Sequence, residues 1–163
     1  MYTFRSLITA ALLATAPVAV TAQGAQIAFG TAAQDTTAPV EVTADNLSVN
    51  QTDGTALFTG NVVIGQGEMR LSAPKVLVIY HKGASTIERL QASGGVTLVS
   101  GTDAAEGATA DYNIDTGIIK MSGNVLLVQA ASAIASEHMT IDSKAGTARM
   151  HGRVKTVLKQ ATE

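Results

Sequence analysis

The sequence predicts an all-β domain, a folded-over antiparallel β-jelly roll in which stacked, bent hairpins form a V-shaped trough. Three observations carry that expectation. From Val40 onward, apolar and polar residues alternate with period two. One phrase recurs as Gly60-Asn61-Val62, Gly94-Gly95-Val96, Gly123-Asn124-Val125 and Gly152-Arg153-Val154, with glycine spacings of 34, 29 and 29 residues. Recurrence at such a period marks a repeat architecture. Within several runs the apolar residues switch parity, which demands a bulge or corner because side chains alternate strictly along a regular strand.

Taken in order, residues 40–49, 56–64, 69–80, 95–99, 117–128, 139–142 and 148–158 read as strands. Between them lie the turn signals Thr52-Asp53-Gly54, Gln66-Gly67, Lys82-Gly83, Ser100-Gly101, Asp115-Thr116-Gly117 and Lys144-Ala145-Gly146. Connections this short leave no space for crossover helices, so the pairing is expected to be antiparallel. The Ala-rich stretch 129–137 has helical propensity, whereas the repeat places a strand there.

The parity switches locate the corners. Val40, Val42 and Ala44 are even, and Leu47 and Val49 are odd. Met69, Leu71 and Ala73 are odd, and Val76, Val78 and Tyr80 are even, with Pro74 at the switch. A third switch falls at Ser136-Glu137-His138, whereas Ala110–Ile114 keeps its parity and gives its corner less support. Corners at one phase bend every hairpin alike and fold the sheet into two facing halves. The glycine-valine phrases are expected on the inner faces, where glycine leaves room for close approach or for a guest. Asp45 and Asp111 occupy equivalent repeat positions and are expected to bond local backbone N–H groups.

Beyond residue 22 the aromatic residues are Phe29, Phe58, Tyr80 and Tyr112. Tightly filled sandwiches lean on aromatics that each bury roughly 150–250 Å². Two readings follow for the aliphatic interior: a slim core that fills itself, or walls around a flexible apolar guest.

The N-terminus has the order of a secretory signal peptide: Arg5, an apolar run over residues 7–19, and small Ala22 two residues after Val20. The expected organisation is a signal peptide over 1–22 cleaved after Ala22, a flexible leader over 23–38 and the β domain over 39–160. An uncleaved membrane anchor is the alternative. Export of such a chain points to a bacterial periplasm or exterior.

Several functions are excluded. The chain has no Cys, so it has no thiol nucleophile, disulfide framework or cysteine-ligated centre. Its formal charge of -2 gives no basic field for nucleic acid. His81, His138 and His151 lack metal-ligand spacing, and Asp111 with Asp115 flanks a turn. No catalytic constellation is present, so neither an enzyme nor a cofactor or metal site is expected. A basic C-terminal run, Arg149, Arg153, Lys155 and Lys159, suits either a solvated edge or an anionic partner.

With export and length, the phrases Val42-Thr43-Ala44-Asp45-Asn46-Leu47, Phe58-Thr59-Gly60-Asn61-Val62 and Met121-Ser122-Gly123-Asn124-Val125 resemble the OstA-like lipopolysaccharide-transport family over residues 39–158. The resemblance implies a periplasmic bridge component whose groove holds the acyl chains of lipopolysaccharide. The implied groove residues are Phe58, Val62, Ile64, Val96, Leu98, Met121, Val125, Leu127, Met150 and Val154. It also implies end-to-end self-association by strand addition, linking inner- and outer-membrane components. The edges would carry Val40, Val42, Leu47 and Val49 at one end, and Arg149, Arg153 and Lys155 at the other. Two alternatives remain open at this point: a secreted structural β-repeat that polymerises through its edges, and a membrane-anchored relative of the same family.

Overall fold

The computed structural model describes residues 26–30, 35–130 and 132–158. The expected signal peptide over 1–22 and its cleavage site lie outside the described residues. Every regular element described is a strand: β1 (Gln26–Ala28), β2 (Glu41–Thr43), β3 (Asn46–Asn50), β4 (Thr55–Gln66), β5 (Met69–Tyr80), β6 (Ile87–Ser100), β7 (Asp103–Asn113), β8 (Ile118–Gln129), β9 (Ser132–Asp142), β10 (Thr147–His151) and β11 (Lys155–Leu158). They form one antiparallel sheet in the order β1-β10-β9-β8-β7-β6-β5-β4-β2, with β3 also on β4 and β11 also on β9. From β4 to β10 each strand pairs with its chain neighbour, as hairpin-length connections require.

The differences from the sequence expectation have local causes. Run 40–49 is split into β2 and β3 at Ala44-Asp45, and run 148–158 into β10 and β11 at Gly152–Val154. β7 was hidden because small residues (Ala104, Ala105, Gly107, Ala108, Ala110) blur its alternation. Residues 132–137 of the Ala-rich stretch are strand in β9, because Ala133 and Ala135 pair with Val128 and Leu126 on one side and with Val157 and Lys155 on the other. Tertiary pairing overrides propensity here. Gln26–Ala28, within the expected leader, pairs with Thr147–Arg149. Three residues are too few to display a period.

Four corners fold the sheet. At each, a glycine and the residue after it both have positive φ: Gly60 (80°) with Asn61 (44°), Gly94 (94°) with Gly95 (98°), Gly123 (85°) with Asn124 (49°), and Gly152 (80°) with Arg153 (43°). On β4, β6 and β8 the register slips there, with one more residue on the glycine strand than on its partner. That is the count of a β-bulge. Inner-face parity is kept on β4, β6 and β8 and switches on β5, β7 and β9. The β7 switch falls at Gly107-Ala108, just before the stretch whose constant parity left its corner unsupported.

The corner glycines are therefore the bends themselves, not inner-face spacers. A Cβ on Gly123 would lie 2.6 Å from Ala108 Cβ, and one on Gly60 would lie 2.5 Å from Asp45 Oδ2. Asp45 donates its backbone N–H to Gly60 O at 2.9 Å and accepts Asn61 Nδ2 at 2.9 Å. Glu137 repeats the arrangement at the last corner, donating to Gly152 O at 2.8 Å and accepting Arg153 Nε at 2.7 Å. Asp45 thus corresponds to Pro74, Ala108 and Glu137 at the other corners. Asp111 is not its counterpart: it lies away from the corner, beside Arg89 and Gln91.

Folding at the corners divides each long strand between two half-sheets whose apolar faces meet. Ala substitutions at two glycines separate the corner's demands. Gly83 also has positive φ (73°), yet nothing lies within 4 Å of its Cβ position. Gly123→Ala is expected to lower the urea-unfolding free energy by about 2 kcal/mol or more, and Gly83→Ala by about 1 kcal/mol. Equal losses would contradict the close approach at the corner.

Candidate functional site

The interior is built from cross-strand ladders. In the half-sheet carrying β3 and β10, Phe58, Val76, Ala92, Ala110, Met121, Met139 and Met150 stand opposite one another in sequence. The facing half aligns Val42, Ile64, Leu71, Leu98, Ala105, Leu127 and Ile134. Both rows are apolar along the full length of the sheet, aliphatic or thioether except for Phe58. Such side chains offer flexible apolar contact without hydrogen-bonding specificity.

Of the groove residues expected from sequence, Val62, Ile64, Val96, Leu98, Met121, Val125, Leu127 and Met150 lie in this interior, none more than 5% exposed. Phe58 packs against it and is partly buried. Val154 is not in it: it follows the last corner and is 51% exposed, because that corner ends β10 and leaves it at the sheet's end. Sequence reasoning missed Phe29, Leu71, Leu90, Tyr112, Met139 and Ile141, which are all buried. The parity rule would have found Leu90 and Tyr112 once β6 and β7 were drawn at full length.

In the described state the interior side chains meet one another. The half-sheet of β2 and β11 carries a polar inward rim, where Gln66, Met69, Ser100 and Asp103 are successive cross-strand partners. Tyr112, on the opposite half, donates its hydroxyl to Gln66 Oε1 at 2.6 Å and so ties the two rims together. Gln66 Nε2 donates in turn to Thr36 O at 3.0 Å and Ala38 O at 3.1 Å. Burial raises the Tyr112 pKa above 10.0, with a hydrogen bond to Ser143 acting in the opposite direction.

The apolar face continues uncovered at one end. Leu47 and Val49 on β3 pair with Phe58 and Ala56 and share their face, yet are 57% and 59% exposed. Beside them opens a cleft of about 610 Å³ lined by Val49, Tyr80, His81 and the β3–β4 and β5–β6 turns. Val42 lies on β2 and pairs with Ile64; Val40 precedes β2 and packs against the core. Among the described strands, β2 and β3 end the sheet on this side, and β1 and β11 on the other.

That other end differs from the sequence expectation. Arg149 lies on β10, whose outer side is taken by β1 through the pair Gln26–Arg149. Arg153 is in the corner, ion-paired with Glu137. Lys155 begins β11, which pairs only with β9 among the described strands. The basic run is therefore not one continuous edge, because the corner divides it.

Two further features lie outside the interior. A cleft of about 600 Å³ on the outer face of β5–β8 is lined by Lys75, Arg89, Asp111 and Lys120. His138 and His151 stack across β9 and β10 with ring centroids 5.4 Å apart. Among the described residues, no group of three or more His, Cys, Asp or Glu could hold a metal ion.

Together these features define the class: a single antiparallel sheet folded into a β-jelly roll around an aliphatic interior. The family described as LptA/(LptD N-terminal domain) LPS transport protein matches residues 41–147, and the chain belongs to it. An uncharacterised protein of Rhizobium meliloti (strain 1021) is 28% identical over 131 residues, 74% of this chain and 70% of that protein. The lipopolysaccharide export system protein LptA of Escherichia coli (strain K12) is 28% identical over 112 residues, 65% of this chain. That match spans 60% of the E. coli protein's length. The crystal structure of LptH, the LptA-homologous periplasmic component of the lipopolysaccharide transport device of Pseudomonas aeruginosa, superposes with a TM-score of 0.69 at 18% identity. It covers 78% of this chain and 99% of that one, and the likeness carries the fold.

The rim tie is testable through Tyr112→Phe. Loss of the hydroxyl strands a buried acceptor and is expected to cost about 1–3 kcal/mol in unfolding free energy at neutral pH. Because the folded pKa is raised, the unfolded chain ionises first, so the wild type is expected to lose stability as pH rises above about 10. Urea titrations from pH 8 to 11 are expected to show a shallower alkaline decline for the variant. An unchanged slope would mean that Tyr112 is not shielded.

Proposed function

We propose that this protein is an exported, periplasmic carrier that shields the acyl chains of lipopolysaccharide between its two half-sheets. One observation carries the reading: two apolar inner rows run the length of the folded sheet, and the apolar face emerges uncovered at Leu47 and Val49, in a member of a lipopolysaccharide-transport family. Removing acyl chain from water is favourable by about 0.8 kcal/mol per CH₂, so cargo leaves readily only for an equally apolar next site.

Transfer of that kind favours continuity between carriers. Copies stack end to end, the β2–β3 end of one against the β11 end of the next, and the outermost copies meet inner- and outer-membrane components. Open sheet edges provide unpaired backbone groups for such addition. The groove is assigned to Phe58, Val62, Ile64, Val96, Leu98, Met121, Val125, Leu127 and Met150, with Val154 at the junction between copies.

Binding is tested with the purified chain and a fluorescent fatty acid whose emission rises in apolar surroundings. The expected result is saturable uptake, reversed by intact lipopolysaccharide and not by its deacylated polysaccharide. Failure of lipopolysaccharide to displace the probe would overturn the reading. Val49→Lys tests the stacking: light scattering is expected to show loss of concentration-dependent oligomers with stability changed by less than about 0.5 kcal/mol, since Val49 is 59% exposed. Undiminished oligomers would place the contact elsewhere.

A further inference from the structure

The mouth of the fold is occupied by the chain's own N-terminal segment. Phe29 follows β1 and is 3% exposed within the core cluster, although it precedes the repeat domain. Its backbone N–H donates to Gly146 O at 2.9 Å, in the β9–β10 turn of one half-sheet. The residues on either side of it are held by the opposite rim. Gly30 N–H donates to Asp103 Oδ2 at 2.8 Å, and Ala28 O accepts Gln129 Nε2 at 2.8 Å. Gln129 Nε2 also donates to Asp103 Oδ2 at 2.7 Å, so the two rim side chains form one unit. Phe29 therefore spans the two rims with its ring inside.

At Asp103 the N-terminal segment accounts for the polarity of that rim. Asp103 is buried and faces inward at the margin of an aliphatic interior, where a charged group is costly unless it is bonded. Its two described donors are the Gly30 backbone and Gln129. Gln66 plays the same part further along, holding the backbone at Thr36 and Ala38. The rim thus reads main-chain groups of the N-terminal segment, while the interior accepts one apolar side chain from it.

We propose that the position of the Phe29 ring is a binding subsite for a single alkyl chain of a lipid, and that Phe29 is its resident occupant, withdrawn when a guest enters. This rests on the acyl-carrier reading and adds to it where one chain of the guest lies and what it displaces. The exchange replaces one apolar occupant by another, so the interior is not left empty in either state, while the released rim groups regain partners in water. The three-residue strand β1 is short enough to detach without disturbing β9 or β10.

The absence of cysteine makes the test clean. Ala28 and Thr147 are directly opposite on β1 and β10, and the adjacent Phe29–Gly146 hydrogen bond makes theirs the closer, non-hydrogen-bonded kind of pair. In the full chain carrying Ala28→Cys and Thr147→Cys, the oxidised protein is expected to load the fluorescent fatty acid at least tenfold more slowly than the wild type. Dithiothreitol should restore the rate. Phe29→Ala is expected to load faster or more tightly than the wild type, by severalfold. Equal loading by the oxidised and reduced double variant overturns the proposal, as does slower or weaker loading by Phe29→Ala. A wild type that fails to load while Phe29→Ala loads supports both the resident occupant and the carrier reading. If neither takes up probe, the carrier reading falls and the subsite falls with it.

Discussion

Left-handed backbone at four glycine-led corners is the constraint from which the rest of this molecule follows. A twisted antiparallel sheet has no reason of its own to fold sharply across all its strands at one level. Here each corner spends two consecutive residues at positive φ and adds one residue to alternate strands. The strand facing each corner then changes which side of itself is apolar. Without that switch, one half of the folded sheet would turn its polar face inward. The parity flips and the glycine phrases are two expressions of one event, on neighbouring strands.

The enclosed space has two characters. Its walls are mostly Val, Leu, Ile, Ala and Met, side chains without directional hydrogen-bonding groups. One rim is polar, with Gln66, Ser100 and Asp103 facing inward and buried. A buried polar rim needs partners, and the chain supplies several of them from residues before β2. The margin is thus held by a few directional bonds, while the stabilising apolar contact lies deeper.

Much of the fold was legible because alternation and repetition are properties of the sequence itself. β5 is matched residue for residue, Met69–Tyr80, since its apolar residues are large and its switch is marked by Pro74. β7 was not legible because a run of small residues has too little hydrophobic contrast to show a period. The four corners were found as a phrase but assigned to the inner face, because sequence spacing does not reveal φ. Most of the interior followed from parity, whereas Val154 did not, since exposure at a sheet's end depends on what lies beyond it. Phe29 was beyond reach: its place in the core depends on bonds made by its neighbours, Gly30 to Asp103 and Ala28 to Gln129, across 73 and 101 residues of chain. The lipid itself comes from family resemblance and membership, not from periodicity.

The central claim is that the space between the half-sheets takes the acyl chains of lipopolysaccharide. It is tested most directly by photocrosslinking in living cells, with benzoylphenylalanine in place of Phe58, whose ring packs against the interior, and in a second strain at Asn124, exposed on the outside of a corner. After irradiation, the protein is blotted for lipopolysaccharide. The account predicts an adduct at position 58 and none at 124. Folded, exported protein with no adduct at position 58, or with equal adducts at both positions, would contradict it.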